Sequence, residues 1–172
     1  RGDADVVLAG GTDALVEAFM VTGFALIGAL SERNADPAHA SRPFDRDRDG
    51  FVLAEGAGFV VLERAERARD RGAPIHGWLR GYGSSLNAYR ITDPPPDGGG
   101  AYQALRDALA DAGVARNTIR YVNAHGTSTV MNDHAESLAI RRVLGAHTDR
   151  TPVSSNKGQL GHLVAAAGAV EA

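Results

Sequence analysis

An α/β fold is predicted for this 172-residue chain, on three observations. Short apolar runs closed by glycine alternate with longer stretches of helical character. The helical stretches either stop at a glycine or carry dense opposite charges. No internal repeat interrupts that order, and the one biased tract is a Pro/Gly loop.

The elements follow in sequence. Val6-Val7-Leu8-Ala9, closed by Gly10-Gly11, reads as a buried strand over 6–9. Residues 13–30 are apolar with small residues mixed in, which predicts helix and irregular packing. The charged turn Asp45-Arg46-Asp47-Arg48-Asp49-Gly50 leads into Phe51-Val52-Leu53 and then a second buried strand over 58–62. Glu63 to Arg71 reads as a surface helix laced with opposite charges. A strand is predicted over 76–82, where Gly81 and Gly83 invite a bulge or a close approach. Thr92-Asp93-Pro94-Pro95-Pro96-Asp97-Gly98-Gly99-Gly100 is the clearest loop. The pattern has the same character on both sides, so the loop is ordered within one domain rather than an interdomain linker. An amphipathic helix over 101–113 stops at Gly113, and a strand follows over 119–123. A helix over 133–145 stops at Gly145, a short strand covers 151–154, and an Ala-rich helix begins at 161.

Composition narrows the function. A net charge of −3 leaves no electrostatic footprint for nucleic acid or an anionic membrane. No run approaches the ~20 apolar residues that a membrane helix needs, and a cytoplasmic location is expected. With no cysteine there is no disulfide framework, no thiolate metal site and no thiol nucleophile within these residues. All but one of the 18 basic residues are Arg; the exception is Lys157. The chain opens without Met and ends on Val170-Glu171-Ala172 within a helical pattern lacking a stop signal, so an internal fragment is expected.

Two segments carry chemistry. Val122-Asn123-Ala124-His125-Gly126-Thr127-Ser128-Thr129 follows a predicted strand. Val153-Ser154-Ser155-Asn156-Lys157-Gly158-Gln159-Leu160-Gly161-His162 runs from a strand through a Gly-rich turn toward a helix. Strand ends are where α/β sheets present reactive side chains, because loops converge there on a crevice. Two His and one Lys at two such ends make a site. Strand–Gly–helix turns also cradle phosphate, so Gly158 and Gly161 could hold a nucleotide. Neither G-x-G-x-x-G nor G-x-x-x-x-G-K-[ST] is present, however. A metal held by His125, His134 and His162 would need a further ligand that the spacing does not supply. No cofactor and no metal are expected.

The two segments resemble active-site blocks of the β-ketoacyl-acyl-carrier-protein synthases, of the type that elongates fatty acids with stand-alone enzymes. Asn123-Ala124-His125-Gly126-Thr127-Ser128-Thr129 with Asn132-Asp133 and Glu136 looks like the second block. Ser154-Ser155-Asn156-Lys157, Gly161-His162-Leu163 and Ala165-Ala166-Ala167-Gly168-Ala169-Val170-Glu171 look like the third. Gly2-Asp3-Ala4-Asp5, Ala9-Gly10-Gly11, Arg42-Pro43-Phe44-Asp45, Arg48-Asp49-Gly50-Phe51-Val52 and Glu55-Gly56-Ala57-Gly58 match as well. The spacings agree: 11 residues from His125 to Glu136, 21 on to Lys157 and 5 more to His162. Departures flank these positions. Val130-Met131 stands where the family has Pro and a small residue, Asn156 replaces Thr, and Gly158-Gln159-Leu160 replaces a Ser-Met-Thr-like stretch. They bear on acyl-chain preference rather than on reaction type.

The resemblance implies an incomplete thiolase-like layered α/β/α/β/α fold. Residues 1–172 would span the end of the N-terminal half and the start of the C-terminal half of a ketosynthase domain. It also implies a decarboxylative condensation of an acyl thioester with malonyl-acyl-carrier protein. The family's nucleophilic Cys would lie ahead of Arg1 and one oxyanion-hole loop beyond Ala172, so the fragment alone is expected to be inactive. His125 and His162 would donate to the enolate oxygen, with His162 kept neutral at the start of a helix. Lys157 would add positive charge with Glu136 as its counter-ion, and Thr127 and Thr129 would hydrogen-bond carrier pantetheine or local backbone. Asn123 and Glu171 resemble positions that hold a structural monovalent cation in some members. The implied partners are acyl carrier protein and a second copy in a homodimer, or a chain-length factor in a heterodimer. A polyketide ketosynthase, a chain-length factor, a degradative thiolase and a non-enzymatic or nucleotide-binding α/β domain are the competing readings.

Overall fold

The computed structural model describes residues 3–172, so Gly2 of the first matching stretch lies outside the described residues. Strand β1 (Val6–Asp13) pairs antiparallel with β2 (Gly56–Glu63), Val6 opposite Glu63 and Asp13 opposite Gly56. Both run longer than their apolar runs predict, because the ladder continues through the glycines. Helix α1 (Ala18–Leu26) follows β1 in the chain, its first turn capped by the Glu17 carboxylate, which accepts the Phe19 and Met20 N–H groups. Helix α2 (Ala65–Asp70) follows β2, and the Glu63 carboxylate gathers Arg67 and Arg71.

Helix α3 (Gly99–Ala112) ends at left-handed Gly113, the predicted stop. It packs on α4 (Val130–Leu144), with Arg142 stacked 4.1 Å over the Tyr102 ring. Beneath them β3 (Val122–Asn123) pairs in parallel with β4 (Val153–Ser154). Ala124, Ile140 and Leu144 form the core there, joined by Phe44, Leu105 and Val153. Helices α5 (Lys157–Leu160) and α6 (Ala167–Glu171) complete the described chain. Leu163, Ala166 and Ala167 make a second core, against Ala54 and Val170.

Four expectations are corrected. Residues 76–82 form no ladder among the described residues. The Tyr82 N–H is taken by the Asp111 carboxylate, and the main chain of α3 lies so close that a Cβ at Gly81 or Gly83 would strike the Ala108 or Ala104 carbonyl. The glycines therefore mark a close approach to a helix. The strand predicted over 119–123 shrinks to two residues, since a 3₁₀ turn occupies Arg116–Thr118 and His147 Nε2 lies 3.0 Å from the Ile119 carbonyl. Helix α4 begins at Val130 rather than 133, because the Thr129 hydroxyl caps it by accepting the Asn132 N–H. The Ala-rich helix does not start at 161. His162 is drawn into strand-like pairing, its N–H on the Val52 carbonyl and its carbonyl on the Ala54 N–H. Helix resumes only after a 3₁₀ turn at Val164–Ala166.

Apolar surface is left uncovered: Phe19 is 80% and Leu26 82% exposed. Both lie on α1, which carries no charged residue. No described helix is long and apolar enough to cross a membrane.

Candidate active site

His125 follows β3, and His162 sits where the chain leaves α5 and pairs with Leu53. Their rings lie 5.4 Å apart at 85° and line one cavity, together with Thr127, Thr129, Phe24 and Asp93. The Phe51 ring meets the His162 ring edge-on at 5.1 Å. His162 Nδ1 accepts the Val164 N–H at 3.0 Å. That hydrogen bond leaves the proton of the neutral ring on Nε2, as a donor.

Both imidazoles are held neutral. Burial pushes the His162 pKa down to about 4, with His125 and Lys157 adding to the effect and Asp13 opposing it. Burial also lowers the His125 pKa, followed by the charge of Lys157, against the carboxylates of Glu136, Glu171 and Asp133. The predicted helix N-terminus is therefore not the cause, since His162 heads no helix; desolvation and a neighbouring cation are. A folded pKa below the unfolded value means the unfolded chain binds more protons between about pH 4 and 6.5. The stability contributed by neutral His162 is complete above the unfolded pKa and is lost as pH falls toward 4. In ¹³C-labelled-histidine NMR of the full-length protein, the resonance missing from the His162→Gln spectrum should titrate near pH 4. A midpoint near the ordinary His value of ~6.5 would refute the lowered pKa of His162.

Lys157 is 1% exposed and bonds to the Glu171 carboxylate, Nζ to Oε1 at 2.5 Å. This corrects the predicted pairing with Glu136. The Glu136 carboxylate instead accepts the His125 and Gly126 N–H groups at 2.7 and 2.8 Å, fixing the loop that carries His125. Only glycine suits position 126: its φ is +44°, and an added Cβ would lie 2.5 Å from the Ser155 Cβ. The Thr127 and Thr129 hydroxyls are 2.8 Å apart and bond to each other. Asn123 donates its amide to the Glu171 main-chain oxygen. Lys157 thus engages one oxygen of the Glu171 carboxylate, Oε1, while Asn123 engages the main-chain oxygen of the same residue.

Two residues of the matching stretches, given no role from sequence, take part in the site. Phe51 supplies the apolar wall against His162. Asp133, 1% exposed, accepts the Phe44 N–H at 2.8 Å and lies 3.7 Å from Arg48. An acidic residue in the first turn of a helix was the available signal for Asp133, but its partner lies 89 residues away.

Comparisons with known proteins agree on one family. Its N-terminal domain, described as "Beta-ketoacyl synthase, N-terminal domain", matches residues 1–68, and "Beta-ketoacyl synthase, C-terminal domain" matches residues 76–172. The chain is 49% identical over 172 residues to a 3-oxoacyl-[acyl-carrier-protein] synthase 2 of Synechocystis sp., covering 100% of this chain and 41% of that protein. Among solved structures, a type II polyketide ketosynthase in complex with its acyl-carrier protein matches with TM-score 0.95 and 44% identity, over 99% of this chain and 42% of that one. The ishigamide ketosynthase/chain length factor matches with TM-score 0.86 and 41% identity, over 99% of this chain and 40% of that one. The chain thus spans about two fifths of the length of the curated relatives it matches.

Proposed function

This chain belongs to the β-ketoacyl synthase family, and on that basis we propose that the full-length protein condenses an acyl thioester with malonyl-acyl-carrier protein to give a 3-oxoacyl product. The observation that carries this reading is the perpendicular pair of neutral imidazoles facing one cavity. Breaking the malonyl C–CO₂ bond sends the electron pair onto the thioester oxygen as CO₂ leaves. In this reading His162 Nε2–H and an N–H of His125 donate to that oxygen. Donors fixed in place before charge develops lower the barrier without reorganising. Neutral donors also avoid trapping the substrate as an ion pair. The resulting enolate attacks the carbonyl of an acyl group held on a cysteine, which the family resemblance places ahead of Arg1. A C–C bond forms, the C–S bond breaks, and the cysteine thiolate is released. Lys157 supplies fixed positive charge behind both rings, while Thr127 and Thr129 receive the pantetheine arm of the carrier.

The partners in this reading are acyl carrier protein and a second copy of the synthase, in the cytoplasm. The test is incubation of the full-length protein with acyl- and [¹⁴C]malonyl-carrier protein. Labelled CO₂ and a 3-oxoacyl product are expected; release of neither would sink the proposal. The fit to a polyketide ketosynthase favours one second reading, the same chemistry repeated on a growing polyketide. A product carrying several unreduced keto groups would select it. A chain-length factor would yield no radiolabelled acyl-enzyme.

A further inference from the structure

We propose that Arg48 is a positioning residue for this reaction, holding the first turn of α4 so that the Thr127–Thr129 hydroxyl pair faces the substrate cavity. The inference rests on the condensing-enzyme reading above. The Arg48 side chain is only 15% exposed, and its guanidinium spans two parts of the chain. Nε donates to the Thr129 carbonyl at 3.0 Å, Nη2 to the Val130 carbonyl at 2.8 Å and Nη1 to the Asp45 carbonyl at 2.8 Å. Asp133 faces it at 3.7 Å and also accepts the Phe44 N–H.

The rest of the 41–50 turn braces the same loop. Ser128, fully buried with φ +67°, is held in the left-handed region between the two threonines. Its hydroxyl accepts the Arg42 N–H at 3.0 Å and its carbonyl accepts the Gly50 N–H at 2.9 Å. A non-glycine residue in that region costs roughly 1–3 kcal/mol and persists only when its surroundings hold it there. Glu136 fixes the His125 end of the loop from one side, and Arg48 fixes the threonine end from the other. Two carbonyls are gripped by one planar fork, a task that a Lys ammonium on a flexible stem does not reproduce.

The test measures CO₂ release from malonyl-carrier protein by full-length wild type, Arg48→Lys, Thr129→Val and the double variant, with thermal unfolding alongside. Arg48→Lys keeps the charge beside Asp133 and loses the fork. It is expected to raise KM about tenfold with kcat nearly unchanged, the signature of lost binding shared by ground and transition states. Because Arg48 acts through the threonine pair, the double variant should be no worse than the poorer single variant. A wild-type KM in Arg48→Lys, multiplicative effects in the double variant, or a loss of kcat that tracks lower thermal stability would each overturn the proposal. Wild-type protein that releases no CO₂ sinks the functional reading instead. Amide hydrogen exchange then decides on Arg48: faster exchange in Arg48→Lys confined to residues 129–132 upholds it, and a uniform change across α3 and α4 overturns it.

Discussion

Replacing His162 by Ala in the full-length protein is expected to slow CO₂ release from malonyl-carrier protein by ~10²–10³-fold, the usual cost of losing one preorganised oxyanion donor. Transfer of the acyl group onto the cysteine should stay largely intact. In the proposed mechanism that first step would develop charge on a different oxygen, served by other donors, whereas enolate formation would use the imidazole pair. Trapping of radiolabelled acyl-enzyme reports the first step and CO₂ release the second. Equal loss of both would mean that His162 shapes the whole site, a reading its backbone pairing with Val52 and Ala54 makes concrete. Unchanged CO₂ release would remove it from the mechanism.

Glu171→Gln should destabilise the protein by about 3–5 kcal/mol, because it leaves the Lys157 ammonium buried without its counter-ion. Lys157 is 1% exposed and Glu171 is its ion-pair partner among the described residues. Replacing both, as Lys157→Met with Glu171→Leu, should restore most of that loss, since an apolar pair of similar volume avoids desolvating two charges. The double variant should also raise the pKa of both histidines, whose neutral forms Lys157 favours. Denaturant midpoints check the first two statements and histidine NMR the third. A Glu171→Gln midpoint equal to wild type would show that the ammonium finds another partner.

Part of this site is legible in the sequence for a physical reason. A strand closed by Gly and polar residues exposes the next side chain at a sheet edge, which marks His125 and His162. The intervals of 11, 21 and 5 residues from His125 through Glu136 and Lys157 to His162 tie them to one family. Helix α3 was equally readable, from its apolar periodicity and the glycine at its end. These features are local: propensity, capping and chemical type act over a few residues. Partner choice is not local. The Glu136 carboxylate lies nearly two turns into α4, within reach of the His125 and Gly126 amides, while α6 delivers Glu171 to Lys157. Nothing in the spacing of three charged residues decides which two meet. The strand predicted over 76–82 failed likewise, since a strand exists only where another backbone offers a ladder, and α3 stands there instead. The neutrality of His162 was anticipated but its cause was not: the sequence offers a helix start, and packing supplies Phe51, His125 and a buried ammonium. Local chemistry thus determined which groups are present and on which turns, and tertiary packing decided their partners and charge states, because both depend on distances and on water removed between segments far apart in the chain.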